Sequence, residues 1–385
     1  MKTISTLKFK IGNNLSIGIK QMQSIWTASL FAISMVLIPW GTVTAQVSGD
    51  GVKWHPGHYM VLVGQASPSY MEQIYTELQQ TPALRGVVVR FGWGELENAK
   101  GVYDFSKIDN LLTELATRKK RLIILLELKA SSSDAEQVIV PNYLETATYE
   151  GGKYAFSNQH LGSTVGYGIK LWNSSVQDRK SNLIRALGNR FNSHPYFEGI
   201  GFTETAMGQP VKPISSGTKD TYYKNLLNVN KQARTSFPNT MTFQYLNFPR
   251  NIIAPYVDSF KNTGTALGCP DVFLEEPGLL FKGTQNSPAG VYSYYPKLSG
   301  TLPLVVQAEH ANYLNTKWDN SGYKPTVSQL LNFARDTLDV NYIFWVRIPG
   351  YYPKVLEMLN FTAQKSTPTG GLKAACPTVY PSCVN

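Results

Sequence analysis

Eight short apolar runs, each bounded by turn residues and most followed by a helical pattern, constrain this chain more than any other feature. They are His58–Gly64, Gly86–Trp93, Arg121–Lys129, Tyr196–Glu204, Thr240–Phe248, Cys269–Glu276, Leu302–His310 and Val340–Ile348. Several, such as Leu122–Leu126, are apolar without alternation, as a parallel strand covered on both faces must be. Amphipathic stretches lie between them at Ser69–Thr81, Ser106–Lys120, Val176–Asn192, Lys219–Ser236, Val327–Leu338 and Tyr352–Ala363. The clearest carries Ile108, Leu111, Leu112 and Leu115 on one stripe, with Ser106 and Asp109 as a capping pair. The segments after the fifth and sixth runs have a weaker helical pattern.

Strands alternating with helices, without a hairpin signal or a shorter repeat, predict an α/β fold, a closed (β/α)8 TIM barrel. The rival, a doubly wound open sheet, calls for a Gly-rich phosphate turn after an early strand, and none of the first three runs has one. The expected organisation is a leader at 1–45, one barrel domain at 46–365 with long loops at the carboxyl face, and a tail at 366–385. The stretch Ala130–Asn173 contains Tyr143, Tyr149, Tyr154, Phe156, Tyr167 and Trp172. So aromatic a segment is expected to be an ordered excursion over the barrel mouth.

With 43% hydrophobic and 16% charged residues among 385, the chain has the composition of a folded protein rather than a disordered polymer. The net charge of +10 includes Lys2, Lys8, Lys10 and Lys20; without them it is +6, an ordinary surplus that argues against nucleic acid as a partner. Those lysines, the apolar stretch Ile25–Trp40 and the ending Val43-Thr44-Ala45 have the layout of a secretory signal cleaved after Ala45, the alternative being an uncleaved anchor. No later segment has the length and apolarity of a membrane span. A secreted or periplasmic location accords with Cys376 and Cys383 closing a small disulfide loop, with Cys269 left as a buried thiol.

In a barrel of this kind the reactive groups sit at the carboxyl ends of the strands. The runs end in Arg90-Phe91-Gly92-Trp93, Glu127-Leu128-Lys129, Thr203-Glu204, Gln244-Tyr245-Leu246-Asn247, Glu275-Glu276, Gln307-Ala308-Glu309-His310 and Trp345-Val346-Arg347. Carboxylates dominate, with no Ser/His/Asp, Cys/His or metal-binding set beside them. Two carboxyls flanking a glycosidic bond suffice for its hydrolysis, one protonated and one ionised, and no cofactor is required.

The run from Arg90 through Trp93, Glu95, Glu97 and Gly101-Val102-Tyr103-Asp104-Phe105-Ser106 resembles the second-strand segment of retaining glycosidases of the clan A barrel superfamily, related to β-galactosidases and endo-glycanases. The resemblance implies an acid/base glutamate ending strand four, Glu204, and a nucleophilic glutamate ending strand seven, Glu309. Thr203 stands where the family has an Asn that binds the sugar 2-hydroxyl. The resemblance also implies that Arg90 holds the nucleophile ionised and that Trp345 forms the floor under the sugar.

Each assignment has a structural alternative. Arg90 could serve only to neutralise Glu127, and Trp93 and Trp345 could be core residues. Tyr245 either positions the nucleophile or is a buried structural tyrosine. Glu276, with Glu275, either binds substrate or starts a loop at Pro277. His310 and His58 either contact sugar or satisfy a carbonyl, and Trp172, Tyr313, Trp318 and Tyr323 either stack on sugar rings or pack loops together. The expected function is an exported retaining glycosidase, endo-acting on an oligo- or polysaccharide. The alternatives are a barrel that binds glycan without cleaving it and a transglycosylase that remodels an exopolysaccharide.

Overall fold

The computed structural model describes residues 51–63, 67–131, 138–157 and 165–385; the leader expected at 1–45 lies outside them. Eight parallel strands close into a barrel. They are β1 (Gly57–Val61), β2 (Leu84–Phe91), β3 (Arg121–Leu126), β4 (Phe197–Phe202), β5 (Met241–Tyr245), β6 (Ala266–Cys269), β7 (Leu304–Ala308) and β8 (Tyr342–Val346). Each pairs with its sequence neighbour, and β8 returns to β1 with Tyr342 opposite Gly57. The main outer helices are α1 (Pro68–Gln80), α2 (Ser106–Thr117), α3 (Ser174–Phe191), α4 (Ser216–Ser236), α5 (Ile253–Thr263), α6 (Tyr295–Leu298), α7 (Val327–Asn332) and α8 (Tyr352–Leu359). This is the (β/α)8 barrel that the eight runs predict.

The alternation of side chains along each strand decides what faces the mouth. Ile123 and Leu125 of β3, Met241, Phe243 and Tyr245 of β5, and Tyr342, Phe344 and Val346 of β8 fill the interior. Leu122, Ile124 and Leu126, and Ile343 and Trp345, pack outward with the helices. Gly201 leaves the interior space that Phe243 occupies, since a Cβ there would lie 2.3 Å from its ring. Continuing the same alternation past the strand ends brings Arg90, Glu127 and Glu309 to the inner rim.

The excursion after β3 is ordered where it is described. Lys129–Ala130, Lys153–Ser157, Val165–Ile169 and Gln209–Pro210 form an antiparallel four-stranded sheet. Tyr149, Tyr154 and Phe156 are buried against the outer core.

At the other end the tail closes the barrel. Val52–Lys53 pairs in parallel with Cys383–Val384, and Trp54 Nε1 donates to Ala374 O at 2.8 Å. Cys376 and Cys383 are bonded, and Cys269 is a buried free thiol. Closing a loop with a sequence separation of 7 contributes about 2 kcal/mol. A Cys376→Ser/Cys383→Ser variant is therefore expected to unfold at lower urea by that amount. Titration of the unfolded native chain should give one thiol without reductant and three with it, and three without reductant would remove the bridge.

The elements depart from expectation in three places. β6 ends at Cys269 instead of starting there, because Pro270 has no N–H for the ladder. The segment after β5 forms a full helix, α5, while that after β6 has only the short helices Pro277–Leu280 and α6. Ser106 and Asp109 do not cap α2: its N-cap is Phe105, and the Ser106 N–H donates to Asp104 Oδ1 at 3.0 Å. Among the described residues, no helix is long and apolar enough to cross a membrane.

Candidate active site

Glu309 follows β7 and starts the helix His310–Leu314, where its N–H donates to Asn312 Oδ1 at 2.7 Å. Its Oε1 accepts from Arg90 Nη2 at 2.5 Å and from Gln307 Nε2. Gln307 Oε1 in turn accepts from the Tyr245 hydroxyl at 3.2 Å. A hydrogen-bond chain runs from Tyr245 through the Gln307 amide to Glu309. Two donors, one of them cationic, thus converge on one oxygen. Burial disfavours the Arg90 charge, but Glu309, Glu204 and Glu127 together hold its pKa above the ordinary guanidinium range. A cavity of about 500 Å³ opens here, lined by Arg90, Glu127, Glu309 and His310, with Val61, Val346 and Ile348 as its apolar wall.

Glu204, just past β4, is clamped by a different cation. Lys129, in the first strand of the excursion sheet, places its Nζ 3.0 Å from Glu204 Oε1. Burial raises the Glu204 pKa, but the Lys129 ammonium, a backbone N–H and the Arg90 charge together outweigh it and leave the carboxyl below its ordinary range. That is the opposite of what a resting general acid needs. Two other carboxyls are shifted upward. Burial, followed by the charges of Glu95 and Glu204, raises Glu127 to about 7 against the pull of Arg90. Burial and the charges of Glu309 and Glu204 raise Asp271 to about 7.

Asp271 escapes a reading of the runs because it was placed mid-strand; Pro270 beside it was the available signal. Asn312 ties the Asp271 loop to Glu309, its Oδ1 also accepting from the Val272 N–H at 3.1 Å. Lys129 and Gln307 also escape as site residues, although both stand within the quoted strand ends.

Five of the candidate sugar-binding residues are occupied elsewhere. Trp345 is fully buried on the outward face of β8, where Nε1 donates to His58 Nδ1 at 3.0 Å, so it forms no floor to the mouth. His58 is buried with it, its Nε2 3.1 Å from Gly370 O, and burial lowers its pKa to about 4. Trp93 is also fully buried, donating to Glu97 Oε2 at 2.7 Å. The Thr203 hydroxyl accepts from the Leu128 N–H at 2.8 Å and fixes backbone. Glu276 is the N-cap of Pro277–Leu280 and accepts from the Gly278 and Trp318 N–H groups at 3.3 and 3.1 Å.

Loop contacts account for several of the other aromatic residues. Glu275 accepts from the Thr316 hydroxyl at 2.5 Å, so Glu275 and Glu276 together anchor a loop that exposes Trp318 and Tyr323. Trp172 packs on Tyr154 at 5.1 Å, and Tyr313 is buried with its hydroxyl 3.2 Å from Val346 O. His310 is exposed and lines the cavity. No group of three or more His, Cys, Asp or Glu able to hold a metal ion occurs among the described residues.

The fold and the rim define a (β/α)8 barrel with a carboxylate-rich mouth. By sequence, no family model and no curated protein matches the chain. By structure it is similar to the catalytic domain of β-amylase from Paenibacillus polymyxa, with TM-score 0.54 and 8% identity over 80% of this chain and 98% of that one. It is similar to β-galactosidase from Bacillus circulans sp. alkalophilus (TM-score 0.50, 12% identity, 76% of this chain and 50% of that one). A third match is β-galactosidase from the psychrophilic Marinomonas ef1 (TM-score 0.53, 9% identity, 83% and 61%). The chain thus spans 50% and 61% of the two β-galactosidases. At such identities the likeness defines the fold, one shared with glycosidases, and function has to be argued from the side chains.

Proposed function

We propose that the protein is an exported retaining glycosidase acting on an oligo- or polysaccharide. The observation that carries this reading is the Arg90–Glu309 contact at the end of β7, which holds a carboxyl in place beside a cavity that a second carboxyl, Glu127, also lines. Glu309 attacks the anomeric carbon while an acid protonates the departing oxygen, and water then releases the sugar with configuration retained. The family pattern gives the acid role to Glu204, which its ion pair with Lys129 opposes in the resting site. The structural likeness to a β-amylase and two β-galactosidases supports glycosidic bonds as the target. The leader and the Cys376–Cys383 bond support export. Exposed Trp318 and Tyr323 on the loop after β7 support a substrate longer than one sugar.

The test is a screen of the chain from Gln46 onward against bacterial and plant polysaccharides, with reducing-end detection and NMR of the first-formed anomer. The expected result is cleavage with retention. Inversion would overturn the double displacement, and longer products would identify transfer to another sugar. Binding without any cleavage would leave the glycan-binding alternative, which the Lys129–Glu204 ion pair favours.

A further inference from the structure

We propose that Glu127 is the proton donor of this site and that Glu204, paired with Lys129, is a carboxylate that binds sugar hydroxyls. The inference rests on the reading that Glu309 attacks a glycoside, and it names the acid that the reading requires.

Placement is the first argument. Ile123 and Leu125 face the barrel interior, so Glu127 takes the next inward position past β3. Its N–H donates to Phe91 O at 3.0 Å, which ties it to the strand carrying Arg90. Glu127 and Glu309 line the same cavity. A proton donor has to reach the bond that the nucleophile attacks.

Charge is the second. Arg90 pairs with Glu309 and Lys129 with Glu204, while among the described residues neither Glu127 nor Asp271 forms an ion pair. Among the described residues the Glu127 carboxyl has neither a hydrogen bond nor an ion pair. Glu95 and Glu204 repel its negative form, and Arg90 and Lys180 attract it from neighbouring elements. Burial tips the balance toward the proton, with a midpoint near 7. Asp271 is shifted likewise but accepts from Asn312 Nδ2 at 3.5 Å and does not line the cavity.

The step balances without a further reactant. As the Glu309 carboxylate bonds to the anomeric carbon, the bond to the leaving oxygen breaks and takes the Glu127 proton. In the second half, water oxygen displaces Glu309 and one of its protons restores Glu127.

Two measurements on the full chain test this. In a carbon-13 carboxyl NMR titration of glutamate-labelled protein, a resonance with a midpoint near 7 should vanish in Glu127→Gln and persist in Glu204→Gln; the reverse overturns the proposal. On the polysaccharide found by the screen, Glu127→Gln should lower turnover by roughly 10²–10⁴-fold. On the 2,4-dinitrophenyl glycoside of the same sugar, whose leaving group needs no proton, the loss in kcat/KM, which reports the first half-reaction alone, should stay below about tenfold. Equal losses on both substrates, or a leaving-group-dependent loss in Glu204→Gln alone, would transfer or abolish the role. If no glycan is cleaved, or Glu309→Gln turns over normally, the glycosidase reading fails instead, and the titration still decides which carboxyl carries the proton.

Discussion

Glu309→Gln is expected to lower turnover by at least about 10³-fold on any glycan the protein cleaves, with folding intact. The amide keeps the size of the side chain but cannot form the ester to the anomeric carbon. The Arg90–Glu309 pair is partly solvated, with side-chain exposures of 37% and 29%, so its loss should change stability by no more than about 1 kcal/mol. Reducing-end release measured beside a urea unfolding curve separates the two effects. Near-normal turnover in the variant would remove Glu309 from the chemistry, and a collapsed unfolding curve would show that the carboxylate is needed for folding instead.

The largest effect on stability is expected at the opposite end of the barrel. Glu198 of β4 is fully buried and accepts from the His55 N–H at 2.7 Å and the Tyr342 hydroxyl at 2.8 Å. The His55 ring lies 2.9 Å from its other oxygen and Arg121 3.7 Å. Burial opposes its charge, but His55 and Arg121 outweigh burial and lower its pKa from 4.5 to about 2. Glu198→Ala would leave Arg121 without its counter-charge and should cost about 3–5 kcal/mol in urea unfolding. Because the folded pKa is depressed, the stabilisation is complete above about 5 and is lost as pH falls toward 2. The gap corresponds to about 3 kcal/mol. The variant should lack that part of the acid dependence; an unchanged acid limb would sink the assignment.

The barrel was legible because buried parallel strands leave apolar runs and eight of them recur with helices between. The same feature hid the site. A run apolar on both faces has no visible alternation, so Trp345 could be placed at the end of β8 but not on its outward side. Thr203 and Glu276 looked free at strand ends because their backbone partners, Leu128 and Trp318, come from distant segments. The Arg90–Glu309 contact joins β2 to β7, and resemblance supplied it where local pattern could not. Lys129 was read as the end of a strand, but β3 stops at Leu126 and Lys129 belongs to a separate sheet that carries its ammonium to Glu204.

The pairing of Val52–Lys53 with Cys383–Val384 brings both edges of the barrel unit together beneath its closed floor. Anchoring the protein to a bead or a carrier near either position would therefore leave the opposite, carboxylate-lined opening turned away from the attachment. That opening should then stay as accessible to a large solute in immobilised protein as in protein free in solution.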